Sequence, residues 1–356
     1  MTDGSLLERT LKNNLTWNGA RIKFLAAFLI ALTQSRSVNL VRLAAKFGGR
    51  AAAESSYKRI QRFLRFFDLP FAELADLLIK LMKLTPPFVL VIDRTEWKFG
   101  SKWHNILTLA IASEEVAVPI LWRFLEKKGC SDDAEREQIM RDYLLLFPVS
   151  SIGYVCADRE FASLKWLEFL TREKIPYRLR IKANHELSDK RGKPIKARKL
   201  LQTARIGEAV ICRRWRKLWG KYRVCVSGRR RADGELLILI SNEPSSQMLA
   251  EYARRWQIET LFGCLKSRGF GLEETHLQDS ERLKKLLGLL AIALCWSWLC
   301  GKQICQMKPI KIKKHQRRAK SIFRVGLDSL ERVFSNSATK GQKKENNMFI
   351  FLLSCT

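Results

Sequence analysis

Two short apolar runs that each finish on an aspartate constrain this chain most: FVLVID at 88–93 and GYVCAD at 153–158. Each reads as a buried strand, so Asp93 and Asp158 stand at strand ends. A third acid, Glu259, lies inside EYARRWQIETLFGCLK, a segment with helical spacing. Two carboxylates at strand ends and one on a helix can hold two magnesium ions on either side of a scissile phosphate. One carboxylate at a strand end is commonplace. Three in a chain of formal net charge +30 point to metal-dependent nuclease chemistry.

The charge names the kind of partner. Sixty-five Lys and Arg against 35 Asp and Glu, in a chain of 356 residues, suit a polyanion such as nucleic acid. Apolar residues make up 47%, which excludes a disordered polyelectrolyte and gives enough material for two or three domains. The nine cysteines are irregularly spaced, with no C-x2-C pair, so neither a zinc ribbon nor a disulfide framework is supported. Cys156 and Cys225 fall within apolar strands and read as buried thiols, in keeping with a reducing cytoplasm. The four histidines are scattered, which disfavours a histidine metal site. No signal peptide is read at the N-terminus. The apolar stretch Leu286 to Leu299 falls short of the roughly 20 residues that span a bilayer. It reads as a buried core or interface helix, and no membrane partner is expected.

Residues 1–85 read as helical. SVNLVRLAAKF follows a candidate N-cap at Ser37, and Gly48-Gly49 separate it from AAAESSYKRIQRFLRFF. Two helices joined by a glycine turn resemble a helix-turn-helix, with Arg50, Lys58, Arg59, Arg62 and Arg65 able to face DNA. A plain helical bundle with a solvated basic face explains the same pattern. After Pro86-Pro87 come three strands (88–93, 105–113 and 116–125), a helix (133–146), a strand (152–157), a helix beginning near Glu160 and a strand from Tyr177. That succession is the order of a ribonuclease-H-like α/β fold.

From about 183 to 240 a β insertion interrupts the core, with Asp233-Gly234 as a tight hairpin turn. Its basic residues, among them Arg229, Arg230 and Arg231, interleave with Trp215, Trp219 and Tyr222, a mixture suited to phosphate contact and base stacking. A twisted, lysine-guarded sheet edge is the alternative. The expected organisation is a helical DNA-binding domain (1–85), a catalytic domain (86–280) holding the insertion, and a helical C-terminal region (281–356) that carries the basic segment KIKKHQRRAK.

Within 252–266, Tyr252, Arg255, Glu259 and Lys266 are spaced Y-x2-R-x3-E-x6-K. On one continuous α-helix, at about 100° per residue, all four fall inside an arc of roughly 60°, with Trp256 beside them. A metal-holding carboxylate is then flanked by a phenol, a guanidinium, an indole and an ammonium. A surface i,i+4 ion pair would account for Arg255 and Glu259 but not for Tyr252 or Lys266.

This spacing resembles the signature of bacterial insertion-sequence transposases of the DDE class, in the insertion-sequence-four group. The text RRWQIE, LKSRGFGLEETHL and ADREF is similar to that group as well, and the likeness runs along nearly the whole chain. The resemblance implies that Asp93, Asp158 and Glu259 are the catalytic, metal-binding triad, with Mg2+ as cofactor and Mn2+ as substitute. It implies that Tyr252, Arg255 and Lys266 contact DNA near the cut, and Trp256 matches an aromatic found beside the signature arginine. An insertion-domain tryptophan stabilises a flipped base in such relatives; Trp215 and Trp219 are both candidates, and spacing does not choose between them. Gly263 stands where some relatives carry a second lysine.

The activity implied is cut-and-paste transposition: hydrolysis at the element's end, a hairpin step, then strand transfer. Double-stranded DNA, as terminal inverted repeats and target, would be the partner of a homodimer assembled on it, in a bacterial cytoplasm at the nucleoid. Two rivals remain at this level. Another ribonuclease-H-like nuclease would need the acids but not the Tyr-Arg-Glu-Lys face. A decayed transposase acting as a DNA-binding regulator would bind without cutting.

Overall fold

The computed structural model describes residues 3–49, 51–314, 316–335 and 348–354. Arg50, His315 and Cys355 lie outside the described residues. In chain order the helices α1 (Asp3–Lys12), α2 (Gly19–Ser35), α3 (Leu40–Lys46), α4 (Ala53–Phe66) and α5 (Phe71–Leu81) come first. Strands β1 (Phe88–Phe99), β2 (Lys102–Ala112) and β3 (Ala117–Leu125) follow, then α6 (Asp133–Leu146), β4 (Ile152–Ala157), α7 (Leu164–Arg172) and β5 (Tyr177–Ile181). The expected insertion supplies β6 (Glu186–Ser188), β7 (Pro194–Lys196), β8 (Ala209–Leu218), β9 (Tyr222–Arg230) and β10 (Leu236–Ser241). Helices α8 (Met248–Ala253), α9 (Trp256–Leu265), α10 (Ser280–Met307) and α11 (Ile322–Ser335) complete a mixed α/β architecture.

The chain divides into two compact units, one of residues 85–95 and 105–259, the other of residues 1–84, 96–104 and 260–356. In the first, the strand order is 3-2-1-4-5, and the sheet continues through β10, β9, β8, β6 and β7. β1 pairs parallel with β4, and β4 parallel with β5, while β2 and β3 are antiparallel. Leu90, Val91 and Ile92 on β1, and Val155, Cys156 and Ala157 on β4, are fully buried. Such continuous burial explains why these strands read as unbroken apolar runs: parallel strands are covered on both faces.

The insertion joins this sheet rather than standing apart, because β10 pairs antiparallel with β5 and with β9. β8 carries a bulge: Cys212 pairs with Val226 and Arg216 with Val224, so residues 213–215 oppose Cys225 alone. The β8–β9 turn places Trp219 and Gly220 at φ of +50° and +69°, and Lys221 N–H donates to the Leu218 carbonyl. Two successive positive φ values make a type I′ turn, whose twist matches the flanking strands. All the cysteines among the described residues are free. Cys156 is buried as expected, but Cys225 is only half-buried.

In the other unit an aromatic cluster joins the N-terminal helices. Phe24 stacks on Phe63 at 3.9 Å, and the Arg59 guanidinium lies 5.7 Å over Phe24 and 5.6 Å over Phe47. Lys58 pairs with Glu54 at 2.8 Å. The cap of α3 is Asn39, not Ser37: its side chain accepts from the N–H groups of Val41 and Arg42. Ser37 lies two residues ahead of that cap position: its Oγ accepts from the Asn39 N–H at 3.2 Å and donates to Glu274 at 2.9 Å.

α10 has the length and composition to cross a membrane, but its apolar residues are buried among α11, α5, α4 and α2. Among the described residues of the expected C-terminal region, α10 and α11 are helical, while in the basic segment Ile312 and Arg318 form an isolated β-bridge. α10 and α11 touch through glycines. A Cβ on Gly326 would stand 1.7 Å from the Ser297 carbonyl oxygen, and one on Gly301 would stand 2.0 Å from that of Ile322. Backbone oxygens cannot rotate aside as side chains do. Gly326→Ala is therefore expected to destabilise the protein at the upper end of about 1–3 kcal/mol. Gly48→Ala, where the added methyl meets nothing within 4 Å, is expected to stay within about 0.5 kcal/mol. Denaturant unfolding of the two variants checks the contrast.

Candidate active site

The site starts from strand register. Ile92 pairs with Ala157 across β1 and β4, so the next residues, Asp93 and Asp158, lie side by side on neighbouring parallel strands. Asp158 follows β4 and opens a 3-10 turn over Arg159–Phe161. Asp93 does not end its strand: β1 runs on to Phe99. The apolar run stops at Asp93 because burial stops there, whereas the hydrogen-bonded ladder need not.

The segment bearing the third acid is not one helix. α8 closes at Ala253 and α9 opens at Trp256. Between them Arg255 N–H bonds to Tyr252 O, Gln257 N–H to Arg254 O and Ile258 N–H to Arg255 O, all i to i−3. This tightened turn adds about 120° per residue rather than 100°, so the single-helix projection does not hold across it. Tertiary contacts hold the break. Arg254 Nη2 donates to the Ala112 and Ser113 carbonyls, and Gln257 Nε2 to those of Ser113 and Glu114.

Arg255 is the centre of the arrangement. Its Nη1 lies 2.9 Å from Asp93 Oδ2 and its Nη2 lies 2.6 Å from Glu259 Oε1, so one guanidinium bridges two of the three acids. The third acid has its own partners: Tyr252 Oη donates to Asp158 Oδ1 at 3.5 Å, and Arg180 Nη1 is 3.5 Å from the same oxygen. Burial pushes the Asp93 carboxyl up to about 6, against the opposing pull of Arg255 and of the Arg94 N–H. Nearby Glu160 and Asp158 add to the rise. Burial likewise raises the Tyr252 phenol, which stays protonated and able to donate.

Arg180, Glu160 and Glu235 were not singled out by the sequence. Arg180 Nη2 reaches Glu235 at 2.6 Å, and Arg159 reaches the same carboxylate at 3.0 Å. Arg94 Nε pairs with Glu160 at 3.2 Å. The signal for Arg180 was an arginine within the apolar strand YRLRI, and that for Glu160 was its place two residues after Asp158.

The other candidates are dispersed. Lys266 falls in the other unit, where its ammonium meets Glu273 at 2.9 Å and the Glu96 carbonyl at 3.0 Å, 5.4 Å from the Trp97 ring centroid. Trp256 is 63% exposed, with the Arg255 guanidinium 5.8 Å from its ring centroid. Trp215 sits in the β8 bulge under the Arg223 guanidinium at 4.6 Å, and Trp219 tilts against His185 at 5.1 Å. Arg229 is exposed. Arg231 pairs with Glu235. Arg230 donates to the carbonyls of Ala204, Leu201, Gln202 and Gly234, so its guanidinium is occupied by backbone.

The donor chemistry fits a divalent metal, since Asp93, Asp158 and Glu259 offer only hard carboxylate oxygens. Their present spacing does not. Among the described residues no group of three or more His, Cys, Asp or Glu could hold an ion. Arginines, rather than one another, are the acids' nearest partners.

Two acids set abreast on neighbouring parallel strand paths, with a third held to the first by an arginine, form one carboxylate cluster in an α/β protein. Residues 86–296 match the family model described as a transposase DDE domain, more than half of the chain, and the chain belongs to that family of DDE-class transposases. Such domains generally use divalent metal ions. Among solved structures the chain is similar to the piggyBac transposase synaptic complex with hairpin DNA, determined by cryo-electron microscopy. That similarity has a TM-score of 0.47 at 14% identity, covering 94% of this chain and 76% of the other. No curated protein sequence matches it.

Asp93 yields a pH test. A carboxyl whose folded pKa lies above its unfolded value binds more protons in the native state, so its contribution to stability falls as pH rises from about 4 to about 6. In chelator, the wild type is expected to lose on the order of 1–3 kcal/mol more than Asp93→Asn across that window. Denaturant titrations at both ends of the window measure the difference, and parallel curves would refute the assignment.

Proposed function

We propose that this protein is a cut-and-paste DNA transposase of the bacterial insertion-sequence-four type, working through a ribonuclease-H-like core. The observation that carries the reading is the register of β1 on β4, which sets Asp93 beside Asp158, with Glu259 joined to Asp93 through Arg255. The strand order 3-2-1-4-5, with β1, β4 and β5 parallel, supports the core assignment.

Asp93, Asp158 and Glu259 would hold the metal, Mg2+ with Mn2+ as substitute. When bound, it supplies an activated water and neutralises the leaving oxygen of an in-line displacement. The chain's own residues do the rest. Tyr252 orients Asp158 through its hydroxyl. Trp256, largely exposed, offers an aromatic face to a base. Arg255, Arg229 and the wider basic surface attract the phosphate backbone. Lys266, in its own unit, would contact phosphate on exchanging Glu273 for it, and Trp215 and Trp219 remain the two candidates for a flipped base.

The reaction would begin with hydrolysis at the element's end, freeing a 3′-OH. That hydroxyl attacks the opposite strand to form a hairpin and, after reopening, attacks target DNA. Each step exchanges one P–O bond for another, so one constellation of acids serves all of them. Cutting two ends together requires two copies of the chain on terminal inverted repeats. The organisation proposed with it is a DNA-binding N-terminal region (1–85), a catalytic domain (86–280) and a C-terminal helical region (281–356).

The test is cleavage of a labelled duplex carrying the gene's own flanking repeats, in magnesium or in EDTA. Wild type is expected to nick at the repeat boundary only with metal, and Asp158→Asn to lose at least about a hundredfold in rate, the scale for removing a group that stabilises the transition state. Glu259→Gln is expected to bind the ends like wild type and not to cut them. Specific binding by the wild type without any cleavage would establish a DNA-binding regulator in place of a transposase.

A further inference from the structure

The bridge between Asp93 and Glu259 has a consequence for metal loading. Asp93 and Glu259 are held by the two arms of one planar fork, and the Arg255 side chain is only 10% exposed. A guanidinium matches this task because its paired N–H groups reach two carboxylates at once, which a lysine ammonium does as a point charge or not at all. The fork directs its donors at Asp93 Oδ2 and Glu259 Oε1, oxygens that a shared cation would also claim. With the fork in place, no three acidic, histidine or cysteine groups among the described residues could hold an ion.

We propose that Arg255 is a built-in competitor of the catalytic metal: guanidinium and divalent cation hold the Asp93–Glu259 pair alternately, and metal enters as the arginine leaves. This rests on the reading of Asp93 and Glu259 as metal ligands. Burial works against a charge on Arg255, but the carboxylates of Asp93 and Glu259 against it outweigh burial and keep the guanidinium protonated. It therefore leaves by moving, not by losing a proton. The route is short: its side chain already lies beside Trp256, which is 63% exposed. While the fork is home its single positive charge offsets part of the charge of the Asp93–Glu259 pair, which favours the folded, metal-free protein. Arg255 is thus a positioning residue whose action falls on metal affinity before any chemistry.

The experiment is Mn2+ binding to the full chain without DNA, followed by the loss of the free-ion electron paramagnetic resonance signal. The proteins are wild type, Arg255→Gln, Arg255→Lys, Asp93→Asn and the double variant Arg255→Gln/Glu259→Gln. Arg255→Gln is expected to bind Mn2+ at least about tenfold more tightly than wild type, with Arg255→Lys between them. Its melting temperature should fall in chelator and recover with Mn2+. The gain should shrink in the double variant, because the contested pair is gone. Equal or weaker Mn2+ binding by a folded Arg255→Gln would overturn the proposal and make the arginine a support for its ligands. If Arg255→Gln does not fold, as judged by circular dichroism, Arg255→Lys decides in the same way. Saturable binding in wild type that Asp93→Asn does not weaken, or no binding in any variant, would remove the metal-ligand reading and this proposal with it.

Discussion

The parallel pairing of β1 with β4 is the constraint on which the site depends. Ile92 opposite Ala157 sets the two aspartates abreast. A slip of one residue would turn every side chain on one of these strands to the other face. The register is defended by apolar matter on both sides, since Leu90, Val91, Ile92, Val155, Cys156 and Ala157 have no exposed surface. Burial therefore stabilises the sheet and also fixes where the charges emerge. The raised proton affinity of Asp93 is the cost of placing a carboxyl directly after such a buried run.

Charge in this protein acts at two ranges. The net charge of +30 is a property of the whole surface and bears on encounter with a polyanion. Within the site the balance is local: Arg255 sits between Asp93 and Glu259, and Arg180 between Asp158 and Glu235. The Arg255–Asp93 pair is buried enough on both sides to resist screening, unlike the exposed pairing of Lys58 with Glu54. The same residue type thus serves attraction at distance and neutralisation at contact, and only the structure separates the two.

Much of this was legible in the residues because it follows from period and burial. The apolar runs placed β1 and β4, the helix over 133–146 was read to its ends, and the turn at Asp233-Gly234 was visible from its residue types. What escaped depends on tertiary contact. The break between α8 and α9 is held by Arg254 and Gln257 reaching carbonyls at 112–114, more than a hundred residues away in sequence. Nothing in local spacing encodes that. Ser37 has the chemistry of a cap, but the helix opens two residues later than its spacing suggests, so Asn39 caps it while Ser37 accepts from the Asn39 N–H. Arg230 looks like a DNA contact in its run of three arginines, yet backbone carbonyls hold its guanidinium. Arg180 was hidden because an arginine within a strand is silent until its partners are known.

The pairing of β10 with both β5 and β9 makes the insertion a continuation of the sheet that carries the acids. A segment tethered by two loops would move as a flap, independently of its host. Here the strand bearing Arg180 is bonded edge to edge to the strand that follows Glu235, and those two side chains also meet. The insertion is therefore a cantilever built into its wall: a load applied along β8 or β9 passes through the ladder to the residues beside Asp158. Stiffness, more than reach, is what this part of the chain adds.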